Sequence, residues 1–365
     1  MAGVYVSFPF CAQKCTYCNF ASGVFPKELE EQYAAALLGE IRAHSWAWTP
    51  ETVYLGGGTP SRVAPETLSD WLAAIPGRPW REATIEVAPG DVSLEKAEGW
   101  KSAGIHRVSL GVQSFVSREL SQTGRKHTAE TVAREVEVLR SAGIDNINLD
   151  LIAGLPHQTV GSFAGSLDWI ERLGVPHVSV YMLEVDEDSR LGGEILLGGV
   201  KYGASKQPTD DAIVEMYECA VSRLRQMGVS RYEISNFARP GFESRHNLKY
   251  WRLEPYAGFG SDAHSFDGAV RRKNAETPAA YVERWNRGES VCVEENAAVL
   301  YEERFLVGLR LSAGITVNDE DWSRFSKPIE RFLDQGLLER EDGRLRFTRQ
   351  GVLYSNEVLQ EFIDA

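Results

Sequence analysis

The sequence predicts an α/β fold. It is a partial (βα)6-type barrel of parallel strands, followed by a C-terminal winged-helix-like α+β domain. Three observations predict this. Short β-branched and aromatic runs alternate with segments of helical period. Gly104, Gly143, Gly174 and Gly228 each follow a helical pattern, where a left-handed C-cap wants glycine, and each precedes the next strand run. Beyond about Thr277 the alternation gives way to helix, helix, hairpin, helix. Repeated βα units imply parallel strands joined by right-handed crossovers.

In chain order the strand runs are Val4–Phe8, Thr52–Leu55, Thr84–Val87, Arg107–Leu110, Asn146–Ile152, Val178–Met182 and Arg231–Ser235. Helical patterns lie between them at Glu28–His44, Pro65–Ala74, Leu94–Ala103, Ala129–Ala142, Val160–Leu173 and Asp210–Met227. In the tail, Tyr301–Leu311 and Pro328–Gln335 read as helices. Residues 336–347 read as a hairpin turning at Asp342-Gly343, and Thr348–Phe362 as a closing helix. The expected organisation is a barrel over residues 1–240, a connecting segment over 241–290 and the small C-terminal domain over 291–365.

Composition narrows the function. The 365 residues are 43% hydrophobic and 25% charged, ordinary for a globular chain with a large core. The balance of 39 basic and 52 acidic residues leaves a net charge of −13. No dense Lys/Arg run offsets it, so nucleic acid is not expected as a partner. No apolar run of about 18 residues is present. The N-terminus lacks the basic and apolar regions of a signal peptide, and a cytoplasmic location is expected.

The sharpest motif is Cys11, Cys15 and Cys18, spaced C-x3-C-x2-C just after the first strand. Three thiolates on one loop can each take a different iron of a [4Fe–4S] cubane. The run stops at three: residue 20 is Phe20, and Cys219 and Cys292 are distant in sequence. One iron is then open to a small ligand. A zinc site completed by a histidine is the alternative, although no second Cys/His pair lies close by. A second motif, Gly56-Gly57-Gly58-Thr59-Pro60, ends the second strand. It reads as a turn that brings backbone close to a ligand, or as an ordinary turn. No Gly-Lys-Ser/Thr follows, which excludes a P-loop. Glu86, Gln113, Asp150 and Glu184 fall at or near strand C-termini, the face on which parallel barrels carry active sites.

The cysteine motif, with Tyr17 before its last cysteine, resembles the signature of radical S-adenosylmethionine (SAM) enzymes. That resemblance implies that SAM chelates the open iron and is cleaved by an electron from the cluster. It also implies that Gly57, Gly58 and Thr59 contact the methionyl amino group. The wider likeness is to the oxygen-independent coproporphyrinogen III oxidase-like branch. It rests on Tyr5, Thr84-Ile85-Glu86-Val87, Gly111-Val112-Gln113-Ser114-Phe115, Arg125 and Leu149-Asp150 through Leu155-Pro156. By that likeness Tyr5, Tyr17, Glu86, Gln113, Arg125 and Asp150 line the SAM site.

Within the branch, the oxidases carry a further cysteine two residues after the motif, where this chain has Phe20. His246-Asn247-Leu248-Lys249-Tyr250-Trp251 is similar to the H-N-x-x-Y-W motif of the HemW heme chaperones. Gly258 through Phe266 resembles that family's glycine-rich segment, departing from it at Ser261-Asp262. The resemblance implies heme as a third cofactor, with His246 as axial ligand on a partly open loop and His264 as a second candidate. The alternative is a surface-loop histidine beside two core aromatics. Implied partners are apo-hemoproteins, membrane respiratory enzymes among them, an electron donor for the cluster, and a second copy of the chain, with peripheral membrane association. The competing function is radical oxidative decarboxylation of coproporphyrinogen III. Catalytic residues are not assigned.

Overall fold

The computed structural model describes residues 2–363. Six parallel strands form the centre of one sheet: β1 (Ala2–Phe8), β2 (Pro50–Gly57), β3 (Glu82–Val87), β4 (Arg107–Gln113), β5 (Asn146–Ala153) and β6 (His177–Met182). They are hydrogen-bonded in sequence order and wrapped by α1 (Lys27–Ala43), α2 (Pro65–Ala74), α3 (Leu94–Ser102), α4 (Ser117–Gln122), α5 (Ala129–Ser141) and α6 (Val160–Leu173). After β6 come α7 (Arg190–Leu196) and α8 (Asp210–Gln226). The helices are amphipathic and bury one stripe each. Tyr33, Ala36, Leu37 and Ile41 do so on α1, and Ile213, Met216, Tyr217, Ala220 and Leu224 on α8. The four glycines expected as C-caps all adopt positive φ.

A seventh parallel strand at Arg231–Ser235 does not form. The chain folds instead into β7 (Ser230–Arg231) and β8 (Asn236–Ala238), with β8 antiparallel to both β6 and β7. The buried Glu233 carboxylate explains the turn between them. It accepts from Ser235 N at 3.0 Å and from Asn236 Nδ2, which folds the backbone back on itself. The sheet therefore stays open.

Segment 241–290, expected as a connector, contributes to the sheet. After α9 (Arg245–Trp251), β9 (Tyr256–Phe259) pairs parallel to β1, on the edge away from β2. Then β10 (His264–Phe266), β11 (Val270–Asn274) and, beyond α10 (Pro278–Asn286), β12 (Cys292–Ala297) extend that edge antiparallel.

The tail packs α11 (Leu300–Gly308), β13 (Ile315–Thr316), α12 (Asp319–Asp334), β14 (Leu338–Glu341), β15 (Arg344–Phe347), α13 (Arg349–Leu353) and α14 (Ser355–Gln360) into a small unit. Its three-stranded antiparallel sheet has the order β13-β15-β14. The hairpin turns at Asp342-Gly343, both at positive φ. The expected helix at Pro328–Gln335 is the end of a longer one. Pro328 denies its i−4 carbonyl a donor, and the helix bends at Phe325. The closing helix is broken at Tyr354 into two.

Glu40 ties α1 to the added edge. Its carboxylate accepts from Gly260 N at 2.8 Å, Asn274 Nδ2 at 2.8 Å and Tyr281 Oη at 2.6 Å. Burial pushes its pKa up to about 7 against these three donors. A carboxyl pKa that is higher folded than unfolded makes the native state bind more protons between those two values. Stability is therefore highest below the usual carboxylate range and falls as pH rises through about 7. We expect unfolding free energy to decline by up to about 3 kcal/mol from this group between pH 5 and 8. Glu40→Gln should flatten that slope in urea titrations; an unchanged slope removes Glu40 as its source.

Candidate functional site

The chain after β1 makes a loop that carries Cys11, Cys15 and Cys18, and it is closed at its base. Cys11 N donates to Gly23 O at 2.8 Å, and Gly23 N donates to Pro9 O at 2.9 Å. Thr16 N donates to Thr123 O at the end of α4, Leu191 N on α7 donates to Thr16 O, and Asn19 Nδ2 donates to Asp186 Oδ2 at 2.8 Å. The three cysteines are free and half-buried, so their thiols can reach a ligand. Burial raises the Cys11 thiol pKa, while Thr59 and Ser22 act against this by hydrogen bonding; Cys15 and Cys18 interact with it electrostatically. Cys219 packs on the core from α8, and Cys292 Sγ donates to Glu294 O at 3.2 Å on the edge strand. Neither joins the loop. Among the described residues no three Cys, His, Asp or Glu side chains converge as a single ion requires. Three free thiols spaced C-x3-C-x2-C on one loop suit a polynuclear cluster, with one corner left to another ligand.

The glycine turn is stitched to this loop. Gly58 N donates to Phe8 O at 2.7 Å, and Thr59 N donates to Phe10 O at 3.0 Å. A Cβ on Gly58 would lie 2.7 Å from Pro9 C and 2.8 Å from Phe10 O. Gly57, at φ +104°, turns its N–H to Glu86 Oε2 at 3.2 Å. The glycines thus serve close backbone approach to the cysteine loop as well as access for a ligand.

The barrel interior is hollow at the same height. In otherwise buried strands the half-buried positions include Tyr5 on β1, Tyr54 on β2, Glu86 on β3, Gly111 on β4 and Asp150 on β5. Tyr5 stacks on Tyr54 at 6.1 Å. Glu86 Oε1 accepts from Tyr54 Oη at 2.9 Å. Burial, opposed by that bond, pushes Glu86 up to about 7. Asp150 is raised too, by burial, although it accepts from Asn148 Nδ2 at 2.7 Å and Ser109 Oγ at 3.3 Å. Arg125 donates through Nε to Tyr17 Oη at 3.1 Å and through Nη1 to Gly111 O at 2.7 Å, joining the cysteine loop to β4. Gln113 sits at φ +67° where β4 slips register against β5. A bulge there re-aims a side chain at the strand end. The structure therefore brings Tyr5, Tyr17, Gly57, Gly58, Thr59, Glu86, Arg125 and Asp150 into one connected region, with Gln113 beside Gly111. Glu184 does not join it: it is exposed beyond β6.

His246 departs from the open loop expected of it. It is fully buried on α9. Its Nδ1 shares a 2.8 Å hydrogen bond with Thr52 Oγ1, and its Nε2 shares one of 2.8 Å with Tyr250 Oη. Burial, with Lys249 and Arg107 nearby, pushes its pKa down to about 3, so the ring is neutral. In this conformation both ring nitrogens are engaged. Glu82 places the helix: its buried carboxylate accepts from Arg245 N and His246 N at 2.9 Å and from Ser244 Oγ at 3.3 Å. Tyr54 stacks on the imidazole at 5.3 Å, linking His246 to Glu86 through one side chain. His264 is exposed at the start of β10.

The sequence reading named Tyr5, Glu86 and Asp150 but missed the rest of this polar interior. Its signal is polarity at every second residue of parallel strands: Thr52 and Tyr54, Glu82, Thr84 and Glu86, Arg107 and Ser109, Asn146, Asn148 and Asp150, His177 and Ser179. Strands buried on both faces are ordinarily apolar throughout. Register confirms the rows. Glu86 pairs with Ser109, Ser109 with Asn148 and Asn148 with His177.

A barrel of this kind with three free thiols at its rim is the framework of a radical SAM protein. The family model described as "Radical SAM superfamily" matches residues 5–170, and that of the "HemN C-terminal domain" matches residues 296–354. This superfamily works with a [4Fe–4S] cluster and SAM, which the thiols and the hollow fit. Heme chaperone HemW of Bacillus subtilis is 32% identical over 100% of this chain and 99% of its own length. That of Lactococcus lactis is 31% identical, covering 98% and 96%. HemW of Mycobacterium tuberculosis H37Rv is 33% identical, covering 99% and 94%. The chain belongs to the HemW family. The solved coproporphyrinogen III oxidase (HemN) of Escherichia coli, a radical SAM enzyme, superposes with a TM-score of 0.86 over 100% of this chain and 90% of that one. At 20% identity that likeness is one of fold.

The stitching of the glycine turn is testable. Gly58→Ala should push the turn away from Phe8–Phe10 and lower the iron and sulfide retained per chain after anaerobic reconstitution. Wild-type iron content in the variant would show that the turn does not position the cysteine loop.

Proposed function

We propose that this chain is a heme chaperone built on a radical SAM scaffold, binding heme and passing it to apo-hemoproteins. The observation that carries the reading is full-length kinship, at 31–33% identity, with proteins named as heme chaperones in three bacteria. Two features of the chain agree with it. Phe20 is 67% exposed and occupies the place where the oxidases carry a further cysteine. The His246–Trp251 motif forms its own helix, seated by Glu82.

In this proposal Cys11, Cys15 and Cys18 hold the cluster, and Gly57, Gly58 and Thr59 hold the amino group of SAM. Tyr5, Tyr17, Glu86, Gln113, Arg125 and Asp150 surround the rest of that molecule. Glu86 and Asp150 suit hydroxyl or amino donors, since each already accepts from polar hydrogens. Arg125 suits a carboxylate. His246 is neutral, as an iron ligand must be, and reaches heme iron once one of its two hydrogen bonds opens. Recipients include respiratory enzymes at the membrane, with peripheral association of a cytoplasmic chain. An external electron donor serves the cluster, and a homodimer is compatible with the reading.

Heme titration followed by the Soret band tests the role of His246. Wild-type protein should bind hemin stoichiometrically, and His246→Ala should bind at least tenfold more weakly. Equal binding by both removes His246 from the mechanism. Anaerobic incubation with coproporphyrinogen III, SAM and reductant tests the reading as a whole. Conversion to protoporphyrinogen with repeated turnover would replace the chaperone with an oxidase.

A further inference from the structure

A cavity lies beside the His246 helix, between α9, α11 and the added edge strands β9 to β11. It measures about 420 Å³, within the roughly 300–1,000 Å³ of ligand pockets. Tyr250 and Trp251 of α9, Tyr256 of β9, Phe266 of β10, Arg271 of β11 and Glu303 of α11 line it. Tyr250 meets Tyr256 edge-on at 4.7 Å, and Tyr256 lies 6.4 Å from Phe266. The wall is thus a run of ring surfaces with one cation. Among the described residues, the indole Nε1 of Trp251 is buried without a partner.

We propose that this cavity is the docking site for a planar tetrapyrrole with ionised carboxylates, that Arg271 is the carboxylate partner, and that Tyr250 is the wall separating the ligand from His246. The proposal deepens the heme-chaperone reading and rests on it. Three observations carry it. The aromatic lining offers flat apolar surface to a macrocycle. Arg271 already holds a carboxylate there: Nε donates to Glu303 Oε2 at 2.8 Å and Nη2 to the same oxygen, while Nη1 donates to Tyr256 Oη at 3.2 Å. Its guanidinium carbon sits 4.5 Å over the Phe266 ring. An incoming propionate offers the same chemistry as Glu303 and competes with it for the guanidinium fork. The third observation is the position of Tyr250. Its ring lines the cavity while its hydroxyl occupies His246 Nε2 at 2.8 Å. The two residues are one helical turn apart and share a face. A ligand that draws the Tyr250 hydroxyl aside uncovers the imidazole nitrogen toward the cavity. This accounts for a histidine that is buried and fully hydrogen-bonded yet belongs to a motif read as heme-binding.

The test titrates hemin, and separately its dimethyl ester, into full-length reconstituted protein and four variants. Val307→Trp fills the cavity from α11 without altering any motif residue and should weaken hemin binding at least tenfold. Arg271→Gln should weaken hemin about tenfold and leave the ester unchanged. Glu303→Gln, which releases Arg271, should tighten hemin. Tyr250→Phe, which frees Nε2 and keeps the wall, should bind hemin at least as tightly as wild type and reach the histidine-ligated Soret position faster. Thermal unfolding of each variant checks that the fold is retained. If Val307→Trp and Arg271→Gln titrate like a wild type that binds hemin, the cavity is not the site, and the chaperone reading stands without it. If the wild type itself binds no hemin, the reading and the site fall together.

Discussion

Two backbone hydrogen bonds join the start of the cysteine loop to the glycine turn, and the site is assembled around them. Gly58 N reaches Phe8 O, and Thr59 N reaches Phe10 O. They are possible because β1 and β2 run parallel and in register to their last residues, with Phe8 opposite Gly57. The chain therefore leaves both strands side by side. Side-chain volume is the constraint: a Cβ at residue 58 would overlap the backbone at Pro9 and Phe10. The thiol at Cys11 follows one residue later, and the N–H of Gly57 turns inward to Glu86. Cluster loop and ligand hollow are in this way parts of one junction.

Below that junction the barrel is polar inside, which is costly unless each group is paired. Most are. Asn148 donates to Ser109, Asp150 and Ser179, while His177 engages Asn148 Oδ1 and Tyr232. Among the described residues, Thr84 Oγ1 and Arg107 Nε are buried without partners, on neighbouring strands in direct register. The helix bearing His246 lies against the starts of β1 and β2, where Gly3 leaves the imidazole room to approach. From there Tyr54 connects the histidine to Glu86, and Glu86 connects to the glycine turn. Two side chains, Tyr54 and Glu86, thus stand between the histidine and the glycine turn.

Much of this was legible. The parallel strands, their helices and the glycine caps came from period and punctuation, because each is a local preference repeated along the chain. Cys11, Cys15 and Cys18 were legible because their spacing alone puts them on one loop. Glu86 and Asp150 were legible from their place near strand C-termini and Tyr5 from a family likeness, and strand alternation turns all three to the same interior. Other features were not legible. The strand expected at Arg231–Ser235 has the right residue types, but the Glu233 side chain bonds its own downstream backbone and makes a turn. Phe237 and Ala238 then pair antiparallel. Segment 241–290 read as a connector because its strands are short and earn their pairing only from the free edge of β1.

The amino-acid sequence by itself determined the repeating βα architecture, the thiol trio and the close approach demanded at the glycine turn, since all three follow from neighbours along the chain. Only the tertiary structure decided the surroundings of His246. Thr52 occupies its Nδ1, Tyr54 covers its ring and Glu82 holds its backbone N–H, all from strands more than 160 positions earlier; of these partners only Tyr250, on Nε2, is local. A hydrogen bond between a barrel strand and a late helix depends on how the sheet curves and where its edge strand adds. No local pattern encodes either.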